Sequence, residues 1–213
     1  MKIVILGANG QVGAAVGQEA LERGHEVVGV TRSSKPDYLG HRAALHRQGD
    51  AGSPDFLAPV ISGADVVVNA LRPVEGREQE LVGHSLGVME ACRQARIRLV
   101  VSGGAGSMPV SEEPDAPQVI ETEYVQDPWR AIATASTAQY NGMLEAGGNL
   151  DWTYIAAPAM LGDGPRRGTY RSSTKALVTR PDGTSELSWS DFAVVVVDEI
   201  ERPSGARRLT AAY

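Results

Sequence analysis

Three glycines near the start of the chain have the spacing of a phosphate-binding turn. The apolar run Ile3–Leu6 is followed by Gly7, Gly10 and Gly13, and a helical pattern of apolar residues begins at Val12. A buried strand, a glycine-rich turn and a helix form the unit that holds a pyrophosphate in dinucleotide-binding folds. The first N–H groups of such a helix and the positive end of its dipole suit an anion. The spacing G-x-x-G-x-x-G therefore predicts a nucleotide site, although typical dehydrogenases have G-x-G-x-x-G.

Each glycine has a separate expected role in that turn. Gly7 lets the chain turn sharply, Gly10 leaves room for the backbone to approach a pyrophosphate, and Gly13 lets the helix pack closely on the strand. An ordinary strand–turn–helix unit is the alternative, because glycines also occur in plain turns.

The residues after the second predicted strand indicate which dinucleotide binds. In NAD-binding folds an acid about 20 residues after the glycines holds the ribose 2′-hydroxyl. This chain has Arg32 instead, 19 residues beyond Gly13. The segment Thr31–Lys35 carries two cations, three hydroxyls and no carboxylate, a set that suits a 2′-phosphate. The sequence therefore predicts NADP(H) in preference to NAD(H); the alternative is that Arg32 and Lys35 are solvated loop charges.

Further cofactor contacts are expected where other strands end, because the carboxyl ends of parallel strands line one crevice. Asp50 is expected at the adenine edge, Ala70 and Leu71 beside the ribose or nicotinamide, and Ser102-Gly103 after the fifth strand; each could also be a simple turn. The predicted cofactor residues are Gly7, Asn9, Gly10, Gln11, Val12, Gly13, Thr31, Arg32, Ser33, Lys35, Asp50, Ala70, Leu71, Ser102 and Gly103.

Alternating strand and helix patterns place these residues on an α/β fold. The predicted strands are Ile3–Leu6, Val27–Thr31, Ala43–Gln48, Asp65–Ala70, Ile97–Ser102 and Trp152–Ala157. Helices are predicted after the glycine turn and over Pro54–Ile61, Glu78–Arg96 and Pro128–Gly147, the last with Asp127 as its N-cap. Such alternation gives a Rossmann-like, doubly wound parallel sheet with helices on both faces.

The segment from about residue 158 to 213 is expected to form a small lobe of a single domain that spans residues 1–213. It contains short strand-like pieces and a last helix that begins at Ser190-Asp191 with Ser190 as its cap. Within that helix, Ala193–Val197 is β-branched enough to favour a strand instead. The strand-like pieces are Ala176–Thr179, Glu186–Ser188 and Leu209–Ala212.

Composition limits the classes of function. The 213 residues are 42% hydrophobic, carry a net charge of −6 and include one cysteine, Cys92. The acidic balance argues against a nucleic-acid partner, and no apolar stretch is long enough to span a bilayer. One cysteine and four histidines without metal-ligand spacing argue against a disulfide framework or a metal site. We expect a cytoplasmic monomer or homodimer that acts on a small molecule.

One motif resembles the nucleophile elbow of serine hydrolases but lacks its context. Gly83–Gly87 reads G-x-S-x-G, yet the residues before it are charged and helical, whereas the elbow follows a strand. No histidine follows Ser85 to complete a triad. A hydrolase is therefore not predicted.

Several segments together resemble the atypical short-chain dehydrogenase/reductases, and more closely their small NAD(P)H-binding members of the NADH–flavin reductase type. The resemblance covers nearly the whole chain and implies a Rossmann-like domain with a small C-terminal substrate lobe. It departs at Asn9, where Ala or Thr is common, and at Ile155–Pro158, where relatives have Ser/Thr-x-x-Pro. The segments that carry it are Met1–Gly13, Arg23–Val27, Gly49-Asp50, Ser102–Ser107, Asp151–Tyr154, Gly168–Arg171 and Asp198–Pro203.

The residues that reduce a carbonyl in ordinary short-chain dehydrogenases are missing. Those enzymes use Tyr-x-x-x-Lys, in which the tyrosine donates a proton and the lysine lowers its pKa and holds the ribose. The lysines here are Lys2, Lys35 and Lys175, and none lies four residues after a tyrosine. Either another group protonates the substrate, or the acceptor needs no positioned acid, as with a flavin or a quinone.

Three residues are candidates if a protein group donates the proton. Tyr140 lies on the predicted helix that normally carries the catalytic tyrosine, Tyr124 precedes that helix, and Ser102 ends the fifth strand. Tyr140 could instead pack its ring on the core. Arg72 could clamp an anionic group of the substrate or be an ordinary surface arginine.

The sequence thus predicts an NADPH-dependent reductase whose acceptor is flat and conjugated, such as a flavin, a quinone or an enone. Two alternatives stay open. One is an isomerase or dehydratase of a biosynthetic pathway, in which the cofactor is recycled or structural. The other is a redox sensor that binds NADP(H) without turnover and contacts a protein partner.

Overall fold

The computed structural model describes residues 1–33 and 44–213, in which strands and helices alternate along most of the chain. The helices are α1 (Gln11–Glu22), α2 (Pro54–Ile61), α3 (Glu80–Ala95), α4 (Arg130–Ala146) and α5 (Trp189–Glu201). The strands are β1 (Lys2–Leu6), β2 (Glu26–Thr31), β3 (Ala44–Gln48), β4 (Val66–Asn69), β5 (Arg98–Gly103), β6 (Trp152–Ala156), β7 (Met160–Gly162), β8 (Arg171–Ser173), β9 (Glu186–Ser188) and β10 (Arg208–Ala212).

Eight of these strands form one central sheet in the order β3-β2-β1-β4-β5-β6-β10-β8. Every neighbouring pair is parallel except β10 and β8, which are antiparallel. The strand order reverses at β1, which has β2 on one side and β4 on the other. Open α/β sheets bind ligands outside the carboxyl ends of the strands at such a switch point. The prediction of a Rossmann-like, doubly wound fold is confirmed.

Both faces of the sheet are covered because its central strands are apolar throughout. All four residues of the run in β1 have an exposed fraction of 0%. Val4 and Leu6 pack with side chains of α2 and α3, whereas Ile3 and Ile5 pack with those of α1 and α5. A continuous apolar run, rather than an alternating one, is what a strand buried on both faces requires.

The starts of two helices differ from the predictions. α4 begins at Arg130, because a 3-10 turn precedes it and takes up Asp127, which does not cap the helix. α5 is capped by Ser188 and not by Ser190: Ser188 Oγ accepts a hydrogen bond from the N–H of Asp191 at 3.0 Å. In each case the N-cap residue depends on the path by which the preceding chain reaches the helix, and the spacing of residues in the sequence does not specify that path.

The C-terminal lobe contains the other differences. Ala193–Val197 is helical and at most 4% exposed, so burial between the sheet and α1 overrides its β propensity. Residues 176–179 are not a strand, since the N–H of Leu177 donates to Pro109 O in the long loop after β5. Strands β7 and β8 were not predicted; each has three residues and forms by pairing with a strand distant in sequence, β9 or β10.

An ion-pair cluster joins α1 to two parts of the C-terminal lobe, α5 and the loop that contains Arg166. The side chain of Glu19 is 4% exposed and accepts hydrogen bonds from Arg23 Nε at 2.8 Å and Arg166 Nε at 2.7 Å. Arg23 also reaches Asp198 on α5 at 2.6 Å. The hydrogen bond from Arg166 lowers the pKa of Glu19, burial opposes that shift, and Arg23 adds to it.

Replacing this carboxylate tests how much the cluster stabilises the fold. Glu19→Gln is expected to lower the free energy of unfolding at neutral pH by about 1–3 kcal/mol, since two arginines then face a neutral amide. The native pKa of Glu19 lies below its usual value of 4.5, so the stabilisation is present above pH 4.5 and is lost as the pH falls through the native pKa. Urea unfolding followed by circular dichroism should therefore show the difference from wild type shrinking on acidification.

The control is the surface pair of Glu90 and Arg93, in which the Glu90 side chain is 52% exposed. Glu90→Gln should cost less than about 1 kcal/mol at any pH. Equal losses for Glu19→Gln and Glu90→Gln would contradict a structural role for the buried cluster.

Candidate functional site

The glycine turn lies at the switch point of the sheet, where backbone segments leave no room for side chains. Gly7 has a φ of 82°, and a Cβ added there would lie 2.6 Å from the carbonyl oxygen of Ala70. A Cβ added at Gly13 would lie 2.3 Å from the carbonyl oxygen of Gly7. The N–H of Gly7 also donates to Val30 O at 3.1 Å. Glycine is therefore required for this turn to contact β2, β4 and α1 together.

The N-terminus of α1 has no side-chain cap. Gly10 is the N-cap residue, no side chain accepts from the first turn, and that turn contains no acidic residue. The first N–H groups of a helix have no acceptor within the helix, and the helix dipole favours an anion there. Gly10 lies on the wall of a cavity, and a Cβ added there would meet, among the described residues beyond its own chain neighbours, only Gly7 O at 3.3 Å within 4 Å. These residues fit the pyrophosphate of a dinucleotide.

Two adjoining cavities extend along the carboxyl ends of the strands. The smaller has a volume of about 300 Å³ and is lined by the glycine turn, the end of β2 and the Asp50 loop. The larger has a volume of about 680 Å³ and is lined by the loop after β5, α4 and the C-terminal lobe. Ala70, Leu71 and Arg72 line both cavities, which therefore meet at the end of β4.

Most of the predicted cofactor residues lie on the walls of these cavities. The smaller cavity is lined by Gly7, Asn9, Gly10, Thr31, Arg32, Ser33 and Asp50. The larger is lined by Gln11, Val12, Ser102 and Gly103, and both are lined by Ala70 and Leu71. Gly13 lines neither, because it packs behind the turn. Lys35 lies outside the described residues.

The end of β2 presents Arg32 and Ser33, both exposed, to the smaller cavity. The hydroxyl of Thr31 donates to Ser33 O at 2.9 Å and lies 2.7 Å from His46 Nε2, which holds the turn in place. Asp50 lines the same cavity, and its carboxylate accepts a hydrogen bond from within its own loop. The guanidinium of Arg32 is thus available to contact a group at the ribose 2′ position of a bound nucleotide, which is expected at the end of this strand.

A buried hydrogen-bond chain begins at the loop after β4. Asn69 Oδ1 accepts from the N–H of Leu71 at 3.1 Å, and Asn69 Nδ2 donates to Ser85 Oγ at 3.4 Å. Gln139 Nε2 on α4 donates to the same Ser85 oxygen at 2.7 Å. Ser85, the serine of the hydrolase-like motif, is 0% exposed inside α3, so it is a buried link and no nucleophile.

Tyr154 completes this chain at the loop after β5. Its hydroxyl lies 3.2 Å from Gln139 Oε1 and accepts a hydrogen bond from the N–H of Gly104 at 3.0 Å. Burial raises the pKa of Tyr154, which keeps the phenol neutral at physiological pH. The network therefore positions Leu71 and Gly104, two residues on the wall of the larger cavity.

The three candidate proton donors have different surroundings. Tyr140 is 9% exposed, has the guanidinium of Arg208 at 4.6 Å from its ring centre, and lines neither cavity. Tyr140 therefore has the core position that the sequence offered as the alternative to a catalytic role. Tyr124 lines the larger cavity, but its hydroxyl donates to Gly183 O at 2.6 Å. Ser102 also lines the larger cavity, and its hydroxyl has no protein partner among the described residues.

The C-terminal lobe and the loops supply walls that the sequence analysis did not assign. Trp129 and Met160, 57% and 66% exposed, line the larger cavity together with Arg167 and Tyr213. Arg72, which the sequence offered as a clamp for an anionic group or as a surface arginine, lies where the cavities join, with its guanidinium 5.8 Å from the centre of the Trp129 ring. The other four are isolated residues in loops or short elements, so no sequence pattern marks them.

Neither a metal centre nor a reactive thiol is present in the part of the chain that the structure describes. No group of three or more His, Cys, Asp or Glu side chains there could hold a metal ion. Burial in α3 raises the pKa of Cys92 to about 12, as expected for a core cysteine. None of the helices within 1–33 and 44–213 is long and apolar enough to cross a membrane.

Known proteins are similar to this chain in fold and in sequence. A family model described as NAD(P)H-binding matches residues 7–203. YwnB of Bacillus subtilis, an uncharacterized protein, is 31% identical over 206 residues, which cover 95% of this chain and 93% of that protein. A solved Burkholderia pseudomallei protein, described as a candidate exported protein, is 32% identical with a TM-score of 0.88 over 100% of both chains. A candidate NADH-flavin reductase from Streptococcus pneumoniae is 28% identical with a TM-score of 0.83, over 100% of this chain and 99% of that one.

The Tyr154 network can be tested through stability. Tyr154→Phe removes the acceptor of the Gly104 N–H and the partner of Gln139, so the free energy of unfolding should fall by about 1–3 kcal/mol. Tyr124→Phe is the matched control, because its hydroxyl bonds to one carbonyl at an exposed position and its loss should cost less than half as much. Denaturant unfolding measures both values, and a Tyr154→Phe protein as stable as wild type would contradict the network.

Proposed function

This chain belongs to the NAD(P)H-binding family, and from that premise we propose that it is an NADPH-dependent reductase with a flat, conjugated small-molecule acceptor. Its similarity to a candidate NADH-flavin reductase supports an oxidoreductase role.

One observation carries the proposal: the two cavities meet at the end of β4 beside an uncapped helix N-terminus. A dinucleotide with its pyrophosphate at Gly10 would place one ribose near Arg32, and Ala70 and Leu71 would line the path of its other end toward the larger cavity. That cavity has room for a second molecule against the nicotinamide. A site for a nucleotide alone would need only the smaller cavity.

The preference for NADPH is supported by the charge at the end of β2. Arg32 and Ser33 are exposed on the cavity wall, and among the described residues the end of β2 carries no acidic side chain that could hold a ribose 2′-hydroxyl. A guanidinium binds a phosphate through paired, charge-assisted hydrogen bonds. The same position would gain little from NADH, which has no phosphate there.

Two features of the larger cavity support the proposed class of acceptor: none of the described lysines lines it, and exposed apolar side chains do. Bound NADPH would supply a hydride, and the acceptor would take up that hydride and one proton. Neither Lys2 nor Lys175 lines a cavity, so no described lysine can lower the pKa of a tyrosine there. A conjugated acceptor delocalises the charge it receives and takes its proton from water, which removes the need for a positioned acid. Trp129 and Met160 offer exposed apolar surfaces against which a flat ring can stack.

Ser102 is the residue of this chain that we propose to touch the acceptor. Its hydroxyl can donate a hydrogen bond to a carbonyl oxygen on which negative charge develops. Tyr124 is the second candidate and would first have to release its bond to Gly183. Tyr140 is not proposed as a donor, because its ring packs in the core.

The proposed surroundings of the protein follow from its cofactor and charge. We expect a cytoplasmic location, because cells maintain NADPH there, and a monomer or homodimer. The net charge of −6 disfavours nucleic acid as a partner. Cell fractionation and sedimentation would test these expectations directly.

The reductase proposal predicts oxidation of NADPH by a panel of flavins, quinones and enones. The loss of NADPH absorbance and the appearance of reduced acceptor measure the reaction. NADPH binding without turnover of any acceptor would instead favour the redox sensor. Conversion of a substrate without net loss of NADPH would favour an isomerase or dehydratase.

The cofactor preference predicts that Arg32→Ala weakens NADPH binding about 10–100-fold, the value of a charge-assisted hydrogen bond or two. NADH binding should change less than about twofold, because no phosphate contact is lost. Arg47→Ala is the matched control, since Arg47 is exposed on the neighbouring strand β3 and lines neither cavity. Titration calorimetry gives both affinities, and equal weakening of NADPH and NADH by Arg32→Ala would refute the assignment.

A further inference from the structure

We propose that Arg167 binds an anionic substituent of the acceptor, a carboxylate or a phosphate, so that the enzyme prefers negatively charged acceptors to neutral ones. Arg167 lines the larger cavity, and nothing in the family resemblance assigns a role to it. The inference rests on the proposed reductase function, because it concerns the acceptor of that reaction.

Asp191 fixes the backbone that carries Arg167. This carboxylate is 0% exposed and accepts hydrogen bonds from the N–H of Arg167 at 3.0 Å and of Gly168 at 2.7 Å. It also accepts from the hydroxyl of Tyr213 at 2.5 Å. Burial raises the pKa of Asp191, but the bonds from Tyr213, Arg167 and Gly168 outweigh it and hold the pKa below its usual range. The negative charge of Asp191 is thus compensated by the two backbone N–H groups and by the Tyr213 hydroxyl.

Neighbouring contacts fix the same segment from the other side. The guanidinium of Arg166 binds both carboxylate oxygens of Glu19 on α1, at 2.7 and 2.8 Å. Ser188 Oγ donates to Pro165 O at 3.2 Å. The segment 165–168 is therefore held by α1, by α5 and by the residue that caps α5.

The side chain of Arg167 has a different environment from that of Arg166. Its guanidinium lies 3.9 Å from the centre of the Tyr213 ring, and both residues line the larger cavity. It makes no ion pair with any carboxylate of the described residues. A guanidinium that is held on an aromatic ring and unpaired is suited to bind a carboxylate or phosphate through two parallel hydrogen bonds. Little further ordering is needed when the anion binds, which favours affinity.

The other charges on the cavity wall leave Arg167 available. Glu186 lines the cavity but pairs with Arg180 at 2.7 Å. Asp163 lines it too, is exposed, and opposes an anion. Arg72 lies at the junction with the smaller cavity, beside the proposed position of the cofactor. Among the described residues, Arg167 is therefore the unpaired cation where the C-terminal lobe lines the cavity, and the negative charge of Asp163 on the same wall weakens its attraction for an anion.

The test compares acceptors that share one ring system and differ in charge, at saturating NADPH. FMN is compared with riboflavin, and a carboxylated naphthoquinone with its neutral parent. In wild type, kcat/KM should be about tenfold or more higher for the anionic member of a pair. Arg167→Gln should lower the anionic value about 10–100-fold and change the neutral value less than about twofold. If only FMN is preferred over its neutral partner, the group bound by Arg167 is a phosphate. If only the carboxylated quinone is preferred, that group is a carboxylate. Either result supports the proposal.

Two further variants separate a local contact from a general effect of charge. Arg202→Gln removes the same charge from a side chain that is 77% exposed and lines neither cavity, so it should leave the preference unchanged. Asp163→Asn should increase the preference for the anionic acceptor. Equal use of charged and neutral acceptors by wild type would overturn the inference and leave the reductase intact, as would a parallel loss for both in Arg167→Gln.

A binding measurement separates failure of this inference from failure of the proposed function. The affinities of FMN and riboflavin for the NADP⁺-loaded protein are measured by flavin fluorescence. Tighter binding of FMN in wild type, lost in Arg167→Gln, would support the anion contact even if no acceptor is reduced. Equal affinities in both proteins would overturn it.

Discussion

The close approach of three backbone segments at Gly7 is the constraint on which the cleft depends. The N–H groups of Gly7 and Ala8 both donate to Val30 O at 3.1 Å, and the N–H of Ala70 donates to Leu6 O at 3.0 Å. Because β1 lies between β2 and β4, its turn contacts the ends of both strands. Any side chain at Gly7 would press on Ala70 and move the end of β4. The junction of the two cavities is that same strand end, so the turn and the junction depend on one contact.

Buried carboxylates attach the segment 165–168, part of the wall of the larger cavity, to this frame. Glu19 lies on α1, the helix whose N-terminus faces the smaller cavity, and it pairs with Arg166 of the lobe. Asp191 on α5 holds the next two backbone N–H groups. The helix that would hold the cofactor therefore also anchors a wall of the acceptor cavity. This linkage connects the two parts of the cleft through hydrogen bonds to one helix.

Local pattern was enough to predict the frame but not the acceptor side of the site. The run Ile3–Leu6 and the glycines mark a buried strand and a turn, and parallel topology then brings the ends of β2, β4 and β5 to one edge. Arg167 and Trp129 have no such pattern, since each is single and reaches the cavity only through tertiary contacts. The cap of α5 shows the same limit: Ser188 and Ser190 both suit an N-cap, and the path of the preceding chain decides between them.

The core position of Tyr140 and the size of the larger cavity have a common physical origin in α4. This helix turns Tyr140 into the core and presents the small residues Ala133 and Ser136 to the cavity. Small residues there leave open the space that a phenol would fill. The same arrangement that enlarges the cavity therefore also keeps the Tyr140 phenol out of it. This is the cavity that the proposed acceptor would need, an acceptor that is wide, flat and able to carry the negative charge of the transferred hydride until water protonates it.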